Sequence, residues 1–561
     1  MRDATRTAVR ILAAVAVVAS VGLLQPLAAG ATAGASAISG GGISGTTYYV
    51  DCARTVNGNG SIWAPFNNEE SVNSRTLGPG DQVLFERGTS CTGQLAPQGS
   101  GTFWQPIVIG AYGWGSLPVL NATLATSQTV LLANMSHVQV RDLSLTGDPV
   151  GAPTNSQREG IQVVASTGVV SDVTIEGLTV SDVGAPGQQG GAQGIGFFAS
   201  AGQHFNGAII RNNTVSNIGG GGITVFGGGS NRPSADVAWP SASTNVLITH
   251  NRVSYVQNNG IFVSGDEAPA TSFNTVSYAT LDNGGYTTAA ACAVAVWGFN
   301  VDNALFEYNS VSHSTFDGTV SKTTGYGCDG DAYDIDYDQD GTVFQYNYSY
   351  DNPGGFILFC ATNVAHRGIV RYNLSVDDGD VFGAAPCQGE VPPTTYDLDG
   401  IQVYNNTFVS TVPKIATEQD QTLAREVVPY YGNFLFENNI VYATGTVPST
   451  TFFNCGSNCS NNLYYGMPSA TNGNVYGANA VFADPLMFHP LATSDTSFIA
   501  PDFQVAWNSP AICAGTTPPA VMVPALVVTR DYFGHPIPQP ETIGFDQRNC
   551  SKFGQLRRPG L

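Results

Sequence analysis

Ile209-Ile210-Arg211-Asn212-Asn213-Thr214-Val215 is a short β-branched strand, a polar step, Asn, and the start of another strand. The same phrase returns as Leu247-Ile248-Thr249-His250-Asn251-Arg252-Val253 and Leu305-Phe306-Glu307-Tyr308-Asn309-Ser310-Val311. It continues as Val343-Phe344-Gln345-Tyr346-Asn347-Tyr348-Ser349, as Ile369-Val370-Arg371-Tyr372-Asn373-Leu374-Ser375, and in the stretches Ile401 to Val409 and Phe434 to Val441. Repeats of this size with irregular spacing mark a solenoid, whose coils touch only their neighbours and whose insertions gather on one binding face. Asn suits a corner because it tolerates left-handed backbone and can bond its counterpart in the next coil. Asn213, Asn251, Asn309, Asn347, Asn373, Asn406 and Asn439 should therefore stack along one edge of three-sided coils.

Between the phrases lie second strands that open on a small residue or Asp: Gly222 to Val225, Gly260 to Val263, Ala293 to Trp297, Asp331 to Tyr337 and Gly355 to Leu358. No amphipathic helix of ordinary length separates them, which argues against alternating strand and helix. Gly219 to Gly222 and Gly227 to Gly229 lack a following helix or Lys, so they read as coil corners and not as a phosphate loop. No Gly-x-Ser-x-Gly elbow is present.

The ends carry a resemblance. Thr47-Tyr48-Tyr49-Val50-Asp51, Leu77-Gly78-Pro79-Gly80-Asp81-Gln82-Val83-Leu84-Phe85-Glu86-Arg87-Gly88 and Pro106-Ile107-Val108-Ile109-Gly110-Ala111-Tyr112-Gly113 resemble the opening of secreted proteins of the pectate-lyase-like superfamily. Ser509-Pro510-Ala511, Asp531-Tyr532-Phe533-Gly534-His535-Pro536 and Ile543-Gly544 are similar to their usual ending. The resemblance implies an all-β, right-handed, single-stranded parallel β-helix that binds carbohydrate. It leaves the reaction open among hydrolases, lyases, epimerases and tailspikes.

Arg2, Arg6 and Arg10, the apolar run Ile11 to Leu24 and the small residues up to Ala33 or Ala37 read as a signal peptide over residues 1–37. Residues 46–120 then form an N-terminal cap and first coils, 121–445 the helix core with a binding groove, and 446–561 the last coils and tail. Without the leader, 18 basic and 41 acidic side chains remain, a net −23, which disfavours nucleic acid and anionic membranes as partners. A secreted, extracellular monomer acting on a polysaccharide or oligosaccharide is the expectation. Ten cysteines suit disulfides. Pairing neighbours along the solenoid gives Cys52–Cys91, Cys292–Cys328, Cys360–Cys387, Cys455–Cys459 and Cys513–Cys550, though connectivity does not follow from sequence.

The densest carboxylate run is Asp329-Gly330-Asp331-Ala332-Tyr333-Asp334-Ile335-Asp336-Tyr337-Asp338-Gln339-Asp340-Gly341. Period two turns Tyr333, Ile335 and Tyr337 inward and Asp334 and Asp336 outward, roughly 7 Å apart at Cα. That spacing suits an inverting glycosidase, which seats a water between acid and base. Repulsion between the two carboxylates would raise one pKa and make a proton donor. Asp331, at the head of the same strand, and Asp351, which ends the next coil, are reserve catalytic carboxylates. Phe262, Ser264 and Trp297 face outward beside the Asp strand, with Phe262 and Trp297 offered for sugar stacking and Asp266 and Glu267 for further substrate contacts. His250 takes a position that is Tyr in other coils and reads as structural.

No cofactor is required on this reading, but Asp336-x-Asp338-x-Asp340-Gly341 resembles the start of a calcium loop. Its twelfth position is Asn347 instead of Glu, and strands surround it. The leading expectation is an inverting glycoside hydrolase on a neutral or weakly charged polysaccharide. The alternatives are a calcium-dependent polysaccharide lyase, with Lys322, Arg367 and Arg371 as nearby bases, and a glycan-binding solenoid that cuts nothing.

Overall fold

The computed structural model describes residues 45–147, 158–184, 192–228, 239, 241–281, 293–315, 330–336, 339–360, 365–379, 383–385, 400–410, 426–427, 435–444, 452–453, 459–467, 476–518 and 527–550. Residues 1–44, Cys292, Cys328, Cys387, Cys455, Tyr337 and Asp338 lie outside these residues, and so do the expectations placed on them.

Each coil contributes a strand to three faces. The first face holds Gln128–Ala133, Glu159–Ala165, Gln193–Ala199, Gly221–Phe226, Ile261–Glu267, Val296–Asp302, Asp331–Ile335 and Gly355–Cys360. It joins the second face, which includes Leu247–Thr249, Ala270–Ser272, Leu305–Glu307, Val343–Gln345 and Ile369–Arg371, in one 26-stranded sheet. The third face is a separate 14-stranded sheet running from Ser90–Thr92 to Val481–Phe482. Neighbouring coils pair parallel, and such crossovers wind right-handed.

The inward row of the first face shows why these residues make this wall. Ile161, Ile195, Ile223, Ile261, Val296, Tyr333 and Ile357 stand in register through consecutive strands and are fully buried. Burying each aliphatic side chain contributes about 1.5–3 kcal/mol. Inside the second face Phe306 and Phe344 stack with centroids 4.4 Å apart. Gly222 lies inside the strand Gly221–Phe226, as the strand reading expected and the corner reading did not. A Cβ there would lie 2.5 Å from Val253 Cγ1, so only glycine lets the first face approach the third.

The seven expected asparagines form one buried ladder, and Asn274 and Asn462 complete it. From Asn213 through Asn251, Asn274, Asn309, Asn347, Asn373, Asn406 and Asn439 to Asn462, each Nδ2 donates to the next Oδ1 at 2.9–3.2 Å. The same Oδ1 also accepts the preceding rung's backbone N–H, as Asn347 Oδ1 does from Asn309 at 3.0 Å. The left-handed residue is not the asparagine itself but the one before it. His250, Phe273, Tyr308, Tyr346 and Tyr372 have φ between 53° and 57°. Their rings stack from coil to coil with centroids 4.9–5.8 Å apart, which offsets a conformation unfavourable to bulky side chains. His250 belongs to this stack, as its position among tyrosines suggested.

The C-terminal segment covers the other two faces. Met487, Ile499, Phe503, Ile543 and Phe545 pack on Tyr348, Leu374, Val409, Ile440 and Leu463 of the third face. Val528, Tyr532 and Ile537 pack against the group of Val343, Tyr346 and Tyr372. Disulfides Cys52–Cys91 and Cys513–Cys550 close as expected, with Cα atoms 5.3 Å and 5.7 Å apart. Cys459 is also disulfide-bonded. No helix among the described residues is long and apolar enough to cross a membrane.

Candidate active site

The outward side of the first face carries the candidate site. Phe262, Trp297, Asp334 and Leu358 occupy one register row on four consecutive strands. Phe226, Phe262 and Trp297 pack in sequence, with centroids 5.1 Å and 4.6 Å apart. Phe262 is thereby buried between its neighbours, so the exposed ends of this run are Phe226 and Trp297. Trp297 Nε1 donates to Asn259 Oδ1 at 2.8 Å, which fixes the indole.

Asp331 and Asp334 leave the sheet on the same side. Ala332 and Tyr333 both enter the core, so the strand breaks its alternation between the two carboxylates while keeping register with the next coil, Asp331 opposite Gly355 and Tyr333 opposite Ile357. Tyr333 anchors it from inside, donating its hydroxyl to the carbonyls of Asn309 and Tyr348 at 3.1 and 2.9 Å. Both carboxylates are buried, while Asp336 lies just beyond the strand end and is partly exposed. Two acids of the strand and a third just past its end thus follow one another, with Asp334 beside the indole of the preceding coil.

The other expected residues separate from this row. Asp351 follows the third-face strand Tyr348–Tyr350 and meets His313 Nδ1 at 3.1 Å. Asp266 lies past a bend at Gly265, whose φ is +74°, and is fully buried against Ser243. Burial drives its carboxyl well above the usual range, against hydrogen bonds from Ser243 and Ser264. Glu267 ends that strand in register with Asp302. Asp340 is buried in an ion pair with Arg367, whose Nε donates to Oδ1 at 2.6 Å and whose Nη2 binds Oδ2. Both oxygens of Asp340, one of the three expected calcium-loop acids, thus face the Arg367 guanidinium.

Among the described residues two groups have metal-like geometry, neither on the first face. In Cys52, Glu69 and Cys91 the sulfurs are already joined. In Asp531, His535 and Asp546, Asp546 is paired with Arg548 at 2.7 Å. Sequence reading missed Asn259, which orients the indole, and the polar floor of Glu159, Gln162 and Gln193 farther along the same face. Their signal was a polar residue at an outward position of an otherwise apolar strand.

The chain is thus a parallel β-helix with acids and aromatics aligned on the outward side of one sheet face. The chain is similar to a lacto-N-biosidase of Bifidobacterium longum subsp. longum, 26% identical over 536 residues, which cover 79% of this chain and 32% of the relative. It thus spans about a third of that protein's length. The crystal structure of a GH136 lacto-N-biosidase from Eubacterium ramulus superposes with a TM-score of 0.56 at 22% identity, over 67% of this chain and 66% of the other. The complex of XylC with xylose gives 0.50 at 11% identity, over 89% and 98%. No family model matches the chain.

Proposed function

We propose that this chain is a secreted glycoside hydrolase that cleaves an oligosaccharide on its first face, with Asp334 and a second acid of the same strand as proton donor and base. The observation that carries this reading is the register row Phe262, Trp297 and Asp334, which sets a sugar-stacking surface beside a buried carboxylate. The relative named for lacto-N-biosides supports the same reaction class. Asp331 or Asp336 supplies the second carboxylate. For Asp334 and Asp336, two residues apart, the roughly 7 Å spacing of same-side neighbours favours attack by an interposed water and inversion at the anomeric carbon.

The test is hydrolysis of a chromogenic lacto-N-bioside and of a polysaccharide panel, scored for new reducing ends and for the absorbance of unsaturated products. Asp334→Asn should lower turnover by about 100-fold or more, the scale of a lost general acid or base, without lowering the melting temperature. Proton NMR of the first-formed anomer checks inversion. Full activity in Asp331→Asn, Asp334→Asn and Asp336→Asn alike would move the chemistry elsewhere. Unsaturated products would instead favour the calcium-dependent lyase, and binding without any new ends the non-cutting solenoid.

A further inference from the structure

Five strands before Asp331, the same outward face carries a second polar cluster that the proposed chemistry does not use. Glu159 is only 6% exposed. Its Oε1 accepts from Gln162 Nε2 at 2.7 Å, and its buried Oε2 has no partner. On the next strand, a Cβ at Gly196 would lie 2.4 Å from the Phe198 ring and 3.2 Å from Glu159 Oε2. Glycine there lets the ring fold over the strand beside the carboxyl. Phe198 stacks on Phe226 at 5.7 Å, and Phe226 is 41% exposed. Gln193, in register with Glu159, has its amide oxygen held by Thr224 at 2.6 Å. An apolar wall, a fixed amide and an unsatisfied carboxyl oxygen thus converge on one spot.

Burial raises the Glu159 carboxyl to about 8, against the hydrogen bond from Gln162. It is then neutral at pH 7 and offers one O–H donor. The strands from Glu159 to Asp331 are paired one to the next, and five steps at about 4.8 Å make about 24 Å. The Phe226, Phe262 and Trp297 rings line the way between.

We propose that Glu159, Gln162, Gln193, Phe198 and Phe226 form a distal subsite for a neutral sugar ring of the oligosaccharide whose cleaved end lies at Asp334. The ring packs on the phenylalanines, and an acceptor on it, such as an acetamido carbonyl, accepts a hydrogen bond from the Glu159 O–H. This rests on the hydrolase reading and adds to it a preference for chains too long to be held at Asp334 alone.

The test is calorimetric titration of the Asp334→Asn protein with lacto-N-biose and with a hexasaccharide of alternating galactose and N-acetylglucosamine. Adding Glu159→Leu should weaken the hexasaccharide about tenfold, the scale of one lost hydrogen bond in a dry site, and leave the disaccharide constant where it was. Glu159→Gln, which keeps a donor and an acceptor, should hold the hexasaccharide within about twofold. Melting curves that match the parent's show that the variants fold. The subsite is overturned if Glu159→Leu weakens both saccharides alike, if it weakens neither, or if neither binds. Hexasaccharide bound through Glu159 by a parent protein that never cleaves it sinks the hydrolase reading and leaves the subsite standing.

Discussion

Asp378→Asn is expected to stabilise the protein at alkaline pH and to do less in acid. Asp378 sits at a second corner, where its Oδ1 accepts the backbone N–H and Nδ2 of Asn352 at 3.0 and 2.7 Å. Its Oδ2 accepts from Ser375 Oγ at 2.6 Å and from Ser349 Oγ. Burial outweighs these bonds and raises the carboxyl from 3.8 to about 6. A raised carboxyl contributes stability that is full below the unfolded value near 4 and is lost as pH climbs through 6. Two units at about 1.4 kcal/mol each place that loss near 3 kcal/mol by pH 8. Asparagine keeps the Asn352 bonds and can donate to a rotated serine hydroxyl. Glu159 and Glu541, raised to about 8 and about 7, steepen the parent's slope in the same direction, so the informative quantity is variant minus parent. Denaturant midpoints at pH 4.5 and pH 8 supply it. The variant should exceed the parent by about 1 kcal/mol at the lower pH, where the unfolded carboxyl is already largely ionised, and by about 3 kcal/mol at the higher. Parallel pH slopes would show that Asp378 titrates normally and that the argument from its burial fails.

Asn309→Ala removes the bonds from Nδ2 to the Thr271 carbonyl and to Asn347, together with both bonds that Asn274 donates to it. Four bonds at about 1 kcal/mol each predict a loss near 4 kcal/mol. Asn462→Ala, at the end of the ladder, should cost less by the same denaturation measurement. Trp297→Ala should raise KM about 5–10-fold on any saccharide the parent cleaves, with kcat less affected, since the indole stacks on sugar and takes no proton. A fall confined to kcat would contradict that role.

The architecture was legible because strand, polar step and Asn recur, and the register they imply is the one found. Asn274 escaped because the strand before it, Ala270-Thr271-Ser272, lacks large apolar residues, and Asn462 because Cys459-Ser460 precedes it. The left-handed position could have been found from the aromatics at Tyr308, Tyr346 and Tyr372, which keep one place in each phrase. In the site, strict alternation located Asp334, Phe262 and Trp297. It does not extend to Asp331, where two successive residues, Ala332 and Tyr333, both enter the core, and it failed at Asp266, where the bend at Gly265 precedes a fully buried side chain. Glu159 went unread because its meaning depends on strands far apart in the chain that the solenoid lays side by side.

The rungs of the asparagine ladder are separated by as few as 23 and as many as 38 residues, yet the hydrogen bonds between them hardly vary in length. Coil position and loop length are therefore set independently. A segment inserted between two rungs, away from the strands, changes what overhangs the first face without shifting the strands beneath it. Such a chain can alter its specificity by exchanging overhangs while every floor residue keeps its address, and a loop grafted from another solenoid between the same two rungs should meet the same floor.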